Sequence, residues 1–156
     1  MTHRVPMAAM SLLAALVLAL PCASAAQEPA FTLDMAREAM DAAEAEARAN
    51  DWDVAIVITD AEGVPIYVRR FDGVAARFYE IAMAKTATVA ATGLNTAEYG
   101  ERLEAGEVEE VPGGITFAGG VPVFRDGELI GTIGTSGVRA IEDEQISRAG
   151  ADAIGG

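Results

Sequence analysis

The chain has 156 residues, with 24 acidic and 11 basic side chains, and its formal net charge at pH 7 is −13. A surface this negative repels phosphate backbones and anionic membranes, so we expect no nucleic-acid partner. His3 is the only histidine and Cys22 the only cysteine. Beyond residue 25 the chain therefore has no Ser-His-Asp triad, no cysteine nucleophile and no structural zinc site. Whether it is an enzyme is left open by these exclusions.

Residues 1–25 are predicted to be a secretory signal peptide. An apolar run, Met7–Leu20, precedes the small residues Ala23–Ala25, which form a cleavage pattern. Residues 26–156 would then form a single periplasmic or secreted domain with no stable membrane anchoring. Cleavage after Ala26, a lipoprotein at Cys22 and an uncleaved anchor are the alternatives, and Pro21 is a poor residue before a lipidated cysteine.

Hydrophobic periodicity and turn residues divide residues 32–155 into alternating helices and strands. The predicted elements are a helix from Thr32 to Asn50, strands Val54–Thr59 and Val64–Arg70, a helix from Ala75 to Ala91 stopped by Gly93, a short helix Thr96–Ala105, a strand Ile115–Ala118, strands Val121–Arg125 and Glu128–Gly134, and a last helix beginning at an acidic cluster, Glu142–Glu144. Asp126-Gly127 between two apolar strands is a strong hairpin signal. Hairpin connections predict an α/β (α+β) fold, an antiparallel five-stranded sheet with helices packed on it.

Two groups of motifs resemble the GlcG/HbpS-like family, also called haem-degrading or DUF336 domains. The motifs are Arg70–Gly73 and Ile81–Lys85 in the first half, and Gly119–Val123, Ile130–Gly137 and Asp143-Glu144 in the second. The resemblance spans about residues 31 to 155. It implies a profilin-like fold, a haem or tetrapyrrole ligand and assembly into homo-oligomers.

The candidate ligand-binding residues lie in these motifs: Arg70, Asp72, Lys85, Gly120, Pro122, Ser136, Gly137, Asp143 and Glu144. The glycines of the strand after Asp126-Gly127 indicate that a neighbouring backbone or a ligand comes close. The Ser136 hydroxyl is a candidate hydrogen-bond donor to an anion, and a plain turn or cap is the alternative role of Ser136. Asp143 and Glu144 are candidates for metal binding or acid–base roles, and complementarity to a helix N-terminus also explains them.

Lys85 is the only lysine, and it lies on the apolar stripe of its helix. It is a candidate anion anchor or nucleophilic amine, with an ion pair to Asp72 or Glu80 as the structural alternative. Arg70 can pair with a ligand carboxylate, or it and Arg69 can form structural pairs with Asp72 or a glutamate.

A haem iron in a domain without histidine needs another ligand, and the candidates are Tyr67, Tyr79, Tyr99, Met83 and the Lys85 amine. Core packing is the alternative role for each of these side chains.

Three functions are compatible with these patterns. The leading hypothesis is an exported haem-binding or tetrapyrrole-binding protein, linked to haem handling or degradation, in which Arg70 and Lys85 pair with the carboxylates of the ligand. The second is an accessory or binding protein for small hydroxy acids of the glycolate type, held by Arg70, Lys85 and Ser136. The third is a non-catalytic oligomeric scaffold whose glycines serve subunit packing.

Overall fold

The computed structural model describes residues 31–155, so the predicted signal peptide, residues 1–25, lies outside the described residues. Eight elements follow one another, namely α1 Leu33–Ala49, β1 Ala55–Asp60, β2 Pro65–Arg70, α2 Ala76–Thr92, α3 Thr96–Glu104, β3 Gly120–Arg125, β4 Glu128–Ser136 and α4 Ala140–Ile154. Among these helices none is both long and apolar enough to cross a membrane.

Local signals place most of these boundaries within a residue or two of the prediction. Thr32 caps α1 by accepting a hydrogen bond from the Met35 backbone N–H. Gly93 ends α2 with φ of 69°, in the left-handed region that favours glycine. Asp126 and Gly127 both have positive φ, 52° and 82°, which is the geometry of a tight two-residue hairpin.

The sheet is antiparallel, and its strand order is β2-β1-β4-β3. It has four strands among the described residues, so the prediction of five strands is wrong. The predicted strand Ile115–Ala118 belongs to a loop instead. Its backbone is drawn away from the sheet because the Ile115 N–H donates to the Thr88 hydroxyl of α2, at 2.9 Å.

Helices cover both sides of the sheet. On one side, α1 and α4 pack against each other and against the sheet, enclosing a core of large, fully buried apolar side chains: Met40, Ile56, Ile58, Ile133 and Ile146. Burial of each such side chain contributes about 1.5–3 kcal/mol of transfer free energy. On the other side, α2 packs mainly on β4 and β1. This arrangement leaves the edge strand β2 exposed on the α2 side.

Candidate functional site

One end of the sheet brings together most of the residues that the sequence singled out. Ala55, at the start of β1, pairs with Arg70 on one side and with Ser136 on the other. Gly120 begins β3 at the same end, where it pairs with Gly134. The segments that leave this end carry Asp72, Gly137 and the first turn of α4. The predicted residues thus gather at one sheet end, although their side chains do not form a single cluster.

A buried ion pair between Lys85 and Asp143 is the centre of this end. The Lys85 Nζ donates to Asp143 Oδ2 and to the Thr135 carbonyl oxygen, both at 2.8 Å. The Lys85 side chain is 0% exposed and that of Asp143 is 3% exposed. The structural alternative for Lys85, an ion pair with Asp72 or Glu80, is not formed, because the helix directs Lys85 inward across the sheet end instead of along its own surface.

Burial has the largest effect on the pKa values of both Lys85 and Asp143. Loss of hydration lowers the pKa of the Lys85 ammonium, and the charges of Asp143 and Glu144 oppose this shift. Loss of hydration likewise raises the pKa of the Asp143 carboxyl, against the opposing effect of Lys85. Each group is therefore harder to ionise than in water, and each depends on the other for its charged state.

Two hydroxyl groups, one glycine and an aromatic ring surround the Lys85–Asp143 pair. The Ser147 Oγ donates to the Gly119 carbonyl oxygen at 2.8 Å and lies at the same distance from the Thr135 Oγ1. A Cβ at Gly119 would lie 2.2 Å from the Lys85 Nζ. The ring of Phe117 covers the ammonium, with its centroid 5.1 Å from the Nζ. A ligand carboxylate would therefore reach Lys85 only by displacing this lining.

The predicted glycines and Pro122 have structural roles in the packing and the sheet. A Cβ at Gly134 would lie 2.4 Å from the Ala82 carbonyl oxygen of α2, and one at Gly137 would lie 2.5 Å from the Asp53 carbonyl oxygen. A neighbouring backbone thus occupies the space above the glycine-rich strand. Gly120 is similarly close to Thr96, whose hydroxyl accepts from the Gly120 N–H at 3.0 Å. Pro122 is half-buried on the edge strand β3, where its missing N–H breaks no sheet bond.

The two candidate site residues of α4, Asp143 and Glu144, have different partners. Asp143 pairs with Lys85, whereas Glu144 accepts from the Arg148 Nε at 2.9 Å, one turn along the same helix. Glu142 caps the start of α4 by accepting from the Arg139 backbone N–H at 3.0 Å. Within residues 31–155 no group of three or more acidic, histidine or cysteine side chains is arranged to hold a metal ion.

Arg70 is exposed, and its Nη1 donates to the Val74 carbonyl oxygen at 2.8 Å, which closes the turn after β2. It forms no salt bridge with Asp72, whereas Arg69 forms the predicted pair with a glutamate, Glu44 of α1. Within residues 31–155, salt bridges engage every basic side chain except Arg70, Arg77 and Arg125. Arg70 and Arg77 are close neighbours in sequence, and neither has an acidic partner within the described residues.

An exposed apolar surface adjoins Arg70. Val68 pairs with Val57, and Val57 pairs with Gly134, the glycine that contacts α2. Directly paired residues point to the same side of a sheet, so Val68 and Arg70 both lie on the α2 side. None of the four described helices covers them, since Val68 is 39% exposed. We call this side of β2, with Val68 and Arg70, the open β2 face.

Residues 31–152 match the family model described as "Haem degrading protein HbpS-like". The chain belongs to the HbpS-like family.

Relatives and solved structures agree with this membership. The chain is 33% identical to Protein GlcG of Escherichia coli (strain K12) over 104 residues, which are 65% of this chain and 78% of that protein. A crystal structure of HbpS superimposes with a TM-score of 0.73 at 33% identity, covering 81% of this chain and 91% of HbpS. A double mutant of HbpS from Streptomyces reticuli gives 0.75 at 30% identity, covering 96% and 100%. A crystal structure of a PduOC:heme complex gives 0.73 at 26% identity, covering 80% and 94%.

Three residues that surround the Lys85–Asp143 pair were not predicted from the sequence: Thr135, Ser147 and Phe117. Ser147 lies one helical turn after Asp143, so spacing on α4 was an available signal for it. Thr135 binds Lys85 through its backbone carbonyl oxygen, and a motif of side chains does not reveal a backbone contact. Phe117 lies in the loop that had been predicted as a strand, and its position over Lys85 depends on the course of that loop.

Proposed function

We propose that this HbpS-like chain binds haem or a related tetrapyrrole on the open β2 face. The observation that carries the proposal is Arg70, an arginine without a salt bridge among the described residues, on an exposed face of strand β2 beside Val68. The family and the structural similarity to the PduOC:heme complex favour a tetrapyrrole among anionic ligands.

The surface fits both parts of such a ligand. A porphyrin ring is flat and apolar, and Val68 on the open β2 face exposes 39% of its surface. Its carboxylates need cations, and an arginine guanidinium can hold a carboxylate through two parallel hydrogen bonds. Because Arg70 uses one nitrogen for the Val74 carbonyl oxygen, its remaining donors are available.

Lys85 is not a cation of the proposed site. Lys85 is buried and neutralised by Asp143, so using it would cost the breaking of a buried ion pair. Arg77 is exposed at the start of α2, where it stacks over the Phe78 ring at 4.5 Å, and it is not part of the proposed site. The proposal concerns binding, and haem degradation is not part of it.

The test is a titration of haemin into the purified protein, prepared without a histidine tag, followed by the visible spectrum. We expect a saturable, sharpened Soret band. Arg70→Gln should weaken binding by about fivefold, the effect of one exposed ion pair of about 1 kcal/mol. Arg37→Gln is the matched control, because Arg37 is exposed and already paired with Asp34 on α1.

The alternative functions give different results. A broad, unsaturable spectrum like that of free haemin would overturn the proposal. A rise in melting temperature with glycolate or another small hydroxy acid would then favour a metabolite-binding protein. No response to either ligand would favour an oligomeric scaffold.

Export and self-association are further proposals that rest on the sequence. The predicted cleavage after Ala25 is tested by mass spectrometry of the protein recovered from the periplasm or medium of an expressing bacterium, where the chain should begin at Ala26. Retention in the membrane fraction with a lipid on Cys22 would contradict it. Light scattering during gel filtration tests the expected homo-oligomer, and a monomer at micromolar concentration would contradict that expectation.

A further inference from the structure

On the assumption that the proposed function is correct, burial and existing contacts reduce the list of side chains that could bind the haem iron. His3 and Cys22, the only histidine and cysteine, lie outside the described residues. Within residues 31–155 the side chains with a suitable phenol, thioether or amine are three tyrosines, three methionines and Lys85.

Burial and existing contacts remove most of these side chains. Tyr99 is fully buried, and its hydroxyl accepts from the Val111 N–H at 2.8 Å. The Tyr67 hydroxyl accepts from Arg69 at 2.8 Å, and Tyr67 pairs with Ile58 on the α1 side of the sheet.

The remaining amine and two of the thioethers are also engaged. Lys85 is held by Asp143, and Met40 is fully buried in the core. Met35 contacts Arg125 at the far end of the sheet, near the β3–β4 turn. Only Tyr79 and Met83 of α2 then remain.

The flank of α2 that carries these two residues faces the β1–β2 hairpin. A Cβ at Gly63, in the β1–β2 turn, would lie 3.3 Å from the Ala90 Cβ. At 3.6 residues per turn, Met83 and Tyr79 lie two and three turns before Ala90 on nearly the same flank. They therefore border the open β2 face, with Tyr79 towards its Arg70 end, because α2 begins just after the turn that follows Arg70.

We propose that Tyr79, 36% exposed on this flank beside the open β2 face, is the axial ligand of a ferric haem. Coordination forms an iron–phenolate bond, the phenol proton passes to water, and the water or anion previously on the iron leaves. The oxidation state of the iron does not change. An anionic oxygen ligand favours ferric over ferrous iron, so the site is expected to prefer oxidised haem.

The experiment compares haemin with metal-free protoporphyrin IX, which has the same carboxylates and no iron. In Tyr79→Phe we expect haemin affinity to fall by about tenfold or more, the lower end of what the outer-shell partners of a metal ligand contribute. The phenolate-to-iron charge-transfer band should disappear from the absorption and resonance Raman spectra. Protoporphyrin IX affinity should stay within about twofold of the wild-type value, a change of at most about 0.4 kcal/mol.

Three control variants test the assignment. Tyr67→Phe removes a phenol on the other side of the sheet, Met83→Leu removes the neighbouring thioether, and His3→Ala removes the only imidazole. Each should retain the charge-transfer band.

The outcomes separate this inference from the proposed function. Absence of binding by both tetrapyrroles would overturn the proposed function and the inference with it. Binding of both with an unchanged band in Tyr79→Phe, or loss of the band in His3→Ala or Tyr67→Phe, would overturn only the assignment of Tyr79.

Discussion

Lys85 and Asp143 are 58 residues apart in sequence and join α2 to α4 through a 2.8 Å hydrogen bond between two buried charges. The Thr135 carbonyl oxygen accepts a second bond from the same ammonium, so β4 is part of the connection. Two helices on opposite sides of the sheet are thereby tied together at one sheet end. Four predictions follow from this end of the molecule.

Replacing one partner of the pair should destabilise the fold far more than replacing both. Lys85→Met leaves a buried carboxylate without a counter-charge, and we expect the free energy of unfolding to fall by about 3–5 kcal/mol. The double variant Lys85→Met/Asp143→Leu should recover much of this loss, because no charge stays buried. Urea unfolding of both single variants and the double variant measures the coupling. A double variant that loses as much as the sum of the single variants would contradict the prediction.

The pair should also give stability a characteristic dependence on pH. Burial raises the pKa of Asp143 above its ordinary value of 3.8, so just above that pH the native state holds a proton that the unfolded state has released. The contribution of Asp143 to the free energy of unfolding therefore falls as pH rises through this window. Burial lowers the pKa of Lys85 below 10.5, so at alkaline pH the unfolded state holds the extra proton and the contribution rises with pH.

The measurement is the difference in unfolding free energy between the wild type and Lys85→Met/Asp143→Leu, followed from pH 3 to pH 11. The difference should fall with pH on the acidic side and rise on the alkaline side. A difference independent of pH in both ranges would show that neither pKa is shifted by burial.

Gly119→Ala should be strongly destabilising for two reasons. The position has φ of 125°, which L side chains rarely adopt, and the new Cβ would lie 2.2 Å from the Lys85 Nζ and 2.9 Å from the Thr135 carbonyl oxygen. Gly106→Ala is the matched control, because Gly106 has positive φ and open space around it. We expect about 1–2 kcal/mol for the control from backbone strain alone. Gly119→Ala should lose clearly more in thermal unfolding, and equal losses would rule out the crowding.

Tyr99→Phe should loosen the loop that leads to Phe117 and Gly119. The substitution leaves the Val111 N–H without the hydroxyl that it bonds at 2.8 Å, at a cost of about 1 kcal/mol. Exposed glutamates, among them Glu107, Glu109 and Glu110, make a glutamate-specific protease a direct probe of this loop. Cleavage there should be faster than in the wild type, with Tyr67→Phe as control. Equal cleavage rates would show that the hydroxyl does not hold the loop.

The elements that the sequence predicted well are those fixed by neighbouring residues. The Thr32 cap, the Gly93 helix end and the Asp126-Gly127 turn each depend on one or two residues and on backbone conformations that they favour. The predicted strand Ile115–Ala118 failed because a distant hydroxyl, that of Thr88, binds its backbone instead of a strand. A run of four residues has too little local preference to resist such a contact.

The sequence by itself determined the order of the helices and strands, the antiparallel hairpins and the family, because periodicity, caps and motifs act over short distances along the chain. Only the tertiary structure decided which acid neutralises Lys85, which backbone fills the space over Gly134, and which strand face stays open beside Arg70. These relationships join residues that are far apart in sequence. They depend on how the helices pack on the sheet. That packing sets the energy of a buried charge or of a close backbone contact.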